Sequence, residues 1–139
     1  MMSGAARFND IENGDWRMKR RALVTGANRG IGFEIAKGLV EQGHEVMLAG
    51  RDMDAVRKAA TEIAAIPLQL DVGDADSISH AAKEAGAVDI LVNNAGLMGS
   101  GTVLDDVDEW QRLMTVMVDG PHRLMHLLVP GMVERRYGR

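Results

Sequence analysis

Residues 22–51 begin Ala22-Leu23-Val24-Thr25-Gly26-Ala27-Asn28-Arg29-Gly30-Ile31-Gly32, continue as an apolar-periodic run to Gln42, and close with Gly43-His44-Glu45-Val46-Met47-Leu48-Ala49-Gly50-Arg51. A short β-branched strand runs straight into a glycine-rich turn, and the turn opens a helix in which Ile31, Ile35, Leu39 and Val40 recur at helical spacing. A second strand follows at once, so the stretch is a βαβ unit. Each glycine has its own task. Gly26 lets the chain turn sharply off the strand, Gly30 lets backbone approach a ligand, and Gly32 allows the helix to pack closely. The helix start offers free N–H groups and the positive end of its dipole to an anion, and a nucleotide pyrophosphate fits that description. A glycine turn after a strand is common by itself; the strand before it, the helix after it and the prompt return strand make it specific.

Working outward, the whole chain is 139 residues, 46% hydrophobic and 26% charged, which bounds it at one globular core. A net charge of −4 and a pI near 5.5 give no electrostatic reason to expect nucleic acid or an anionic membrane as partner. Zero cysteines exclude disulfides, thiolate metal sites and cysteine nucleophiles. No apolar run approaches the roughly 20 residues of a membrane-spanning helix. Residues 1–18 scatter Arg7, Asp10, Glu12, Asp15 and Arg17 among apolar residues, so they lack the apolar middle of a secretory signal and read as a flexible leader. The expected compartment is the cytoplasm, and the expected folded unit is 19–139.

The strand–helix alternation continues to the end of the chain. The pattern predicts strand Ala22–Thr25, helix Gly30–Gln42 ended by Gly43, strand Glu45–Ala49, helix Met53–Ala64, strand Ile66–Val72 and a helix from Asp74 to Ala85. A fourth strand, Val88–Asn93, is nearly all apolar, as suits burial on both faces. After a loop containing Gly99-Ser100-Gly101, Asp106 with Glu109 resembles a capping box, and a last helix runs from about Val107 toward Arg136 with Pro121 and Pro130 as kinks or breaks. Strands alternating with helices imply an α/β fold with a parallel, doubly wound sheet. Ligands of such sheets lie outside the carboxyl ends of the strands, which directs attention to Gly50-Arg51, Asp71-Val72 and Asn93-Asn94-Ala95-Gly96.

With Thr25 ahead of a Gly-x-x-x-Gly-x-Gly turn, Asp71 after the third strand and Asn93-Asn94-Ala95-Gly96 after the fourth, the chain resembles the short-chain dehydrogenase/reductase family. The resemblance implies a Rossmann-type sheet in the order 3-2-1-4 and a nicotinamide dinucleotide held by Gly26, Asn28, Arg29, Gly30, Ile31, Gly32, Arg51, Asp71, Val72, Asn93, Ala95, Gly96 and Val116. In that family an acid followed by an apolar residue, here Asp71-Val72, reaches the adenine amino group. Turn and N-cap chemistry is the plainer reading of the same residues. At the end of strand two an acid would suit the ribose hydroxyls of NAD. Arg51 suits a 2′-phosphate instead, with Arg29 as a second cation, so the expected cofactor is NADP(H), with NAD(H) less favoured. The less favoured alternative is that both arginines are solvated loop residues.

The departures from the family carry as much information. Its reaction moves a hydride between nicotinamide and a carbonyl or alcohol carbon, using a Tyr, a Lys four residues later and an upstream Ser, all on the fifth strand and the helix after it. The chain stops at Arg136-Tyr137-Gly138-Arg139, which resembles the opening of that strand, and Tyr137 is its only tyrosine. A relay Asn expected seven positions after the tryptophan Trp110 is Met117, which cannot usefully bond a relay water. Two functions therefore compete: the cofactor-binding half of an NADP(H)-dependent oxidoreductase acting on a small carbonyl or alcohol substrate, or a catalytically silent nucleotide-binding module or truncated fragment. In either case Val88–Asn93 is expected to be an open sheet edge, and the last helix or that edge to drive self-association. His122 and His126 have a metal-ligand spacing, but with no third ligand nearby a packing or surface role is favoured. Met114, Met117, Met125 and Met132 read as core or interface filler.

Overall fold

The computed structural model describes residues 18–98 and 107–139. Four strands, β1 (Arg21–Thr25), β2 (Glu45–Gly50), β3 (Ile66–Gln69) and β4 (Ile90–Val92), form one sheet in the order β3-β2-β1-β4. Every pairing is parallel, with Leu23 opposite Met47 on one side and Leu91 on the other. The helices are α1 (Gly30–Glu41), α2 (Met53–Ile63), α3 (Ala75–Ala85), α4 (Val107–Met114) and α5 (Gly120–Glu134). The predicted alternation and strand order are both present.

Side chains alternate across the strands and so build two cores. Ala22, Val24, Val46 and Leu48 pack with Ala36 of α1 and Val56, Ala59 and Ala60 of α2. Leu23, Met47 and Leu68 pack on the opposite face with Ile78, Ala81 and Ala85 of α3 and Leu124, Leu128 and Met132 of α5. The strand-end groups are thereby fixed at one rim. At the other rim Arg21 pairs with Glu45, and the Arg135 Nε lies 3.3 Å from Asp89.

Three elements differ from expectation. The third strand ends at Gln69 because Asp71 turns the chain: its Oδ1 accepts the Gly73 N–H at 2.8 Å, while its own N–H donates to Ser77 Oγ at 2.9 Å. The fourth strand is Ile90–Val92, and all three residues are only half-buried, since helices cover the sheet thinly at its edge. That edge is also not bare: Arg139 donates its N–H to the Asp89 carbonyl at 3.0 Å and accepts the Leu91 N–H at 2.9 Å, so the chain end pairs along β4.

The last helix is interrupted, but upstream of its prolines. Thr115–Asp119 is a π-helical turn between α4 and α5, Pro121 occupies the first turn of α5, and Pro130 lies inside α5 without ending it. Pro121 has no N–H to return to the preceding turn, and the widened turn absorbs that loss. Gly120 fixes the place, because a Cβ there would fall about 3.1 Å from the carbonyl carbon of Val72. The capping residue expected at Asp106, the loop Gly99-Ser100-Gly101 and the leader to residue 17 lie outside the described residues. Among the expected filler methionines only Met132 is buried, whereas Met117 and Met125 are exposed.

Candidate functional site

The turn after β1 is held from below. Thr25 is 1% exposed, and its Oγ1 accepts the N–H groups of Asn94 and Ala95, each at 3.0 Å, while donating to the Val92 carbonyl at 3.3 Å. Asn94 answers with its side chain, donating Nδ2 to the carbonyls of Thr25 and Gly26, both at 3.0 Å. The ends of β1 and β4 are therefore locked to each other through one hydroxyl and one amide. Gly26 (φ +62°) sits so close to that junction that a Cβ would lie 2.7 Å from the Ala95 Cα. Gly32 backs against Asn94 in the same way and has no room for a side chain. Gly30, also at φ +62°, faces open space with no atom within 4 Å of where its Cβ would be. The sharp turn expected at Gly26 and the close packing expected at Gly32 are seen in this geometry.

Helix starts differ around the sheet. Asp52 caps α2 by accepting from Asp54 and Ala55, and Asp74 caps α3 by accepting from Asp76 and Ser77. By contrast α1 has Arg29 at its N-cap, with no side-chain cap and no acid in its first turn. Its first residue, Gly30, and the N-cap Arg29 lie on the wall of a cleft of about 390 Å³ at the carboxyl ends of the strands. Such a start favours an anion, because the unsatisfied donors and the dipole act together.

The cleft gathers Gly26, Asn28, Arg29 and Gly30 from the first turn, Arg51 from the end of β2, Asp71 and Val72 after β3, Ala95 and Gly96 after β4, and Val116 from the π-helical turn. Three expected residues are not on its wall. Gly32 lies behind the turn as a packing residue. Ile31 is 76% exposed on the first turn of α1. Asn93 lines a groove at the sheet edge shared with Leu91, Met125 and Val129, at a tight turn in which the Asn94 N–H donates back to the Val92 carbonyl at 3.0 Å. Asn94 is the residue whose amide matters here. Gly50, Leu70 and Leu97 also line the cleft, beyond the residues that the motifs mark. Of these Gly50 is legible in the sequence as the residue beside Arg51, and a Cβ on it would lie 3.2 Å from Asn28 Oδ1.

Tyr137 is remote from this cleft. Its ring lies beneath the Arg20 guanidinium at 3.7 Å and near that of Arg139 at 5.2 Å, at the sheet edge. His122 and His126 line a separate groove between α3 and α5, and no cluster able to hold a metal ion occurs among the described residues. No described helix is long and apolar enough to cross a membrane.

A family model described as short chain dehydrogenase matches residues 20–139. An uncharacterized oxidoreductase of Bacillus subtilis, YxjF, is 35% identical over 131 residues, covering 87% of this chain and 51% of its own. Among solved structures, a short chain dehydrogenase/reductase family protein superposes with a TM-score of 0.82 at 40% identity, covering 86% of this chain and 52% of its own. A metagenomic short-chain oxidoreductase solved in complex with NADP superposes with a TM-score of 0.81 at 32% identity, covering 88% of this chain and 61% of its own. The chain thus spans about half the length of the proteins it matches.

Proposed function

The chain belongs to the short-chain dehydrogenase family, and on that premise we propose that residues 19–139 bind NADP(H) as the cofactor-holding half of an oxidoreductase domain, without performing hydride transfer by themselves. The observation that carries this reading is the uncapped start of α1 opening on a cleft that also holds Arg29 and Arg51. The pyrophosphate lies against the N–H groups of the Gly26–Gly30 turn, where Gly30 leaves space. The adenosine end lies toward β2 and β3, with the 2′-phosphate between the guanidiniums of Arg29 and Arg51. Asp52, the acid nearest the end of β2, is committed to capping α2, which favours the phosphorylated dinucleotide over NAD(H). The adenine meets Asp71-Val72, and the nicotinamide end approaches Gly96 and Val116.

When bound, the cofactor supplies a hydride donor or acceptor; this chain's residues supply position and charge. No Tyr-x-x-x-Lys occurs in the 139 residues, and Tyr137 lies at the sheet edge rather than in the cleft. A small carbonyl or alcohol substrate is expected only of a full-length relative. Fluorescence titration is expected to give about 10²-fold tighter binding of NADPH than of NADH, from two added charge-assisted contacts of about 1.5 kcal/mol each. A steady-state assay with a panel of aldehydes and ketones is expected to show no NADPH oxidation above the protein-free rate. Equal affinities would overturn the NADP(H) preference, and turnover would overturn the silent half.

Self-association belongs to the same reading. Met125, Val129 and Val133 leave an exposed apolar face on α5, beside the β4 edge on which Arg139 is seated. Sedimentation velocity at 5–100 μM (roughly the range where weak interfaces form) is expected to show a concentration-dependent shift to dimers or larger species. A single monomer boundary throughout would refute it.

A further inference from the structure

Met117 takes no part in the dinucleotide reading above, yet its sulfur touches the wall of the cleft. The Leu97 N–H donates to Met117 Sδ at 3.4 Å, and the thioether lies so close over Gly96 that a Cβ there would stand 3.1 Å from Sδ and 3.5 Å from Cε. Gly96 and Leu97 both line the cleft, as does Val116, the residue before Met117 on the π-helical turn. The side chain is therefore a clasp holding the loop after β4 against the interrupted helix. Met117 is also 50% exposed, so small solutes can reach it.

We infer that Met117 is a peroxide-sensitive modification site whose oxidation releases the Gly96–Leu97 wall and weakens dinucleotide binding; this rests on the NADP(H) reading. The oxidant is a hydroperoxide. A sulfur lone pair attacks the hydroxyl oxygen of the peroxide, the S–O bond forms as the O–O bond breaks, and the proton on the transferred oxygen passes to the departing one, leaving the sulfoxide and water or, from an organic peroxide, an alcohol. Sulfur loses two electrons and peroxide gains them. Sulfur keeps only one of its two lone pairs and becomes pyramidal, so the thioether geometry that met the Leu97 N–H is lost. A polar, tetrahedral sulfoxide stands where an apolar chain was packed.

Other methionines provide the comparison. Met98 is 99% exposed and Met125 42%, the latter on α5 away from the cleft, so both should oxidise without affecting it. The intact chain is treated with hydrogen peroxide and sulfoxides are mapped by mass spectrometry. NADPH affinity and hydrogen exchange at the Leu97 amide are then measured, before and after methionine sulfoxide reductases A and B. The expected result is about fivefold weaker NADPH binding, the scale of one weak hydrogen bond, and faster Leu97 exchange, both reversed by the reductases. Met117→Leu should abolish the response and Met98→Leu should retain it. A response that persists in Met117→Leu, unchanged Leu97 exchange after Met117 is oxidised, or a Met117 left intact while Met98 is converted would each overturn the proposal. Were the untreated chain to bind no NADPH, the cofactor reading would fail, while faster Leu97 exchange on oxidation would still establish the clasp.

Discussion

Replacing Arg29 and Arg51 together with Gln is expected to weaken NADPH binding by about 10²- to 10³-fold and to change NADH affinity by less than about threefold. The magnitude follows from charge. A hydrogen bond to a charged group is worth about 1.5–3 kcal/mol, and each guanidinium can present two parallel donors to a phosphate. The whole chain carries −4, so any positive field at the cleft is local to these two side chains and not a property of the molecule. Both arginines are exposed at the rim. The NADPH advantage should therefore shrink with added salt, whose screening length falls from about 10 Å at 0.1 M to about 3 Å at 1 M. Isothermal titration of both dinucleotides against the wild type and the double variant, at two salt concentrations, measures each of these effects. Equal loss for NADH and NADPH would mean that the arginines support the turn as a whole and do not read the extra phosphate. The single variants rank the two: Arg51, extending from the end of β2, should account for the larger share, because Arg29 also occupies the N-cap position of α1.

The sheet is readable in the residues because the signal is local. Apolar strands ending in Gly26, Gly50 or the Asn93–Gly96 run, each followed or preceded by a helix of regular period, leave few topologies for a parallel sheet. The β3-β2-β1-β4 order then places the strand ends, and with them most of the cleft, at one rim. What cannot be read depends on contacts between distant residues. Whether Asn93 or Asn94 faces the turn depends on how the chain bends just beyond the last ladder pair at Val92, and the strand is shorter than its apolar run suggests. The π-helical turn at Thr115–Asp119 arises where Gly120 meets the Val72 backbone, a meeting no periodicity reports. The hold of Met117 on Leu97 is likewise a contact across 20 residues of chain. The seating of Arg139 on the β4 edge needs coordinates for the same reason.

Thr25→Val is expected to cost about 2–5 kcal/mol of stability and to abolish measurable dinucleotide binding, although it only exchanges a hydroxyl for a methyl group of similar size. The residue is 1% exposed, and its hydroxyl serves three partners at once: the N–H groups of Asn94 and Ala95 and the Val92 carbonyl. Valine leaves both N–H groups without an acceptor in a site water cannot easily enter, at about 1–3 kcal/mol each. The loop they belong to supplies Ala95 and Gly96 to the cleft, and Asn94 from the same loop holds the carbonyls of Thr25 and Gly26. Loosening it lets Gly26 move away from the Ala95 Cα, and the turn that presents the N–H groups of α1 loses its backing. Thr25→Ser keeps the oxygen and gives up one methyl group, so it should cost only about 1 kcal/mol and retain NADPH binding. Chemical denaturation and NADPH titration of the two variants separate the oxygen from the methyl. If the Thr25→Val chain folded and bound normally while the Thr25→Ser chain did not, the junction between β1 and β4 would be held by packing, and the hydrogen bonds would be incidental to it.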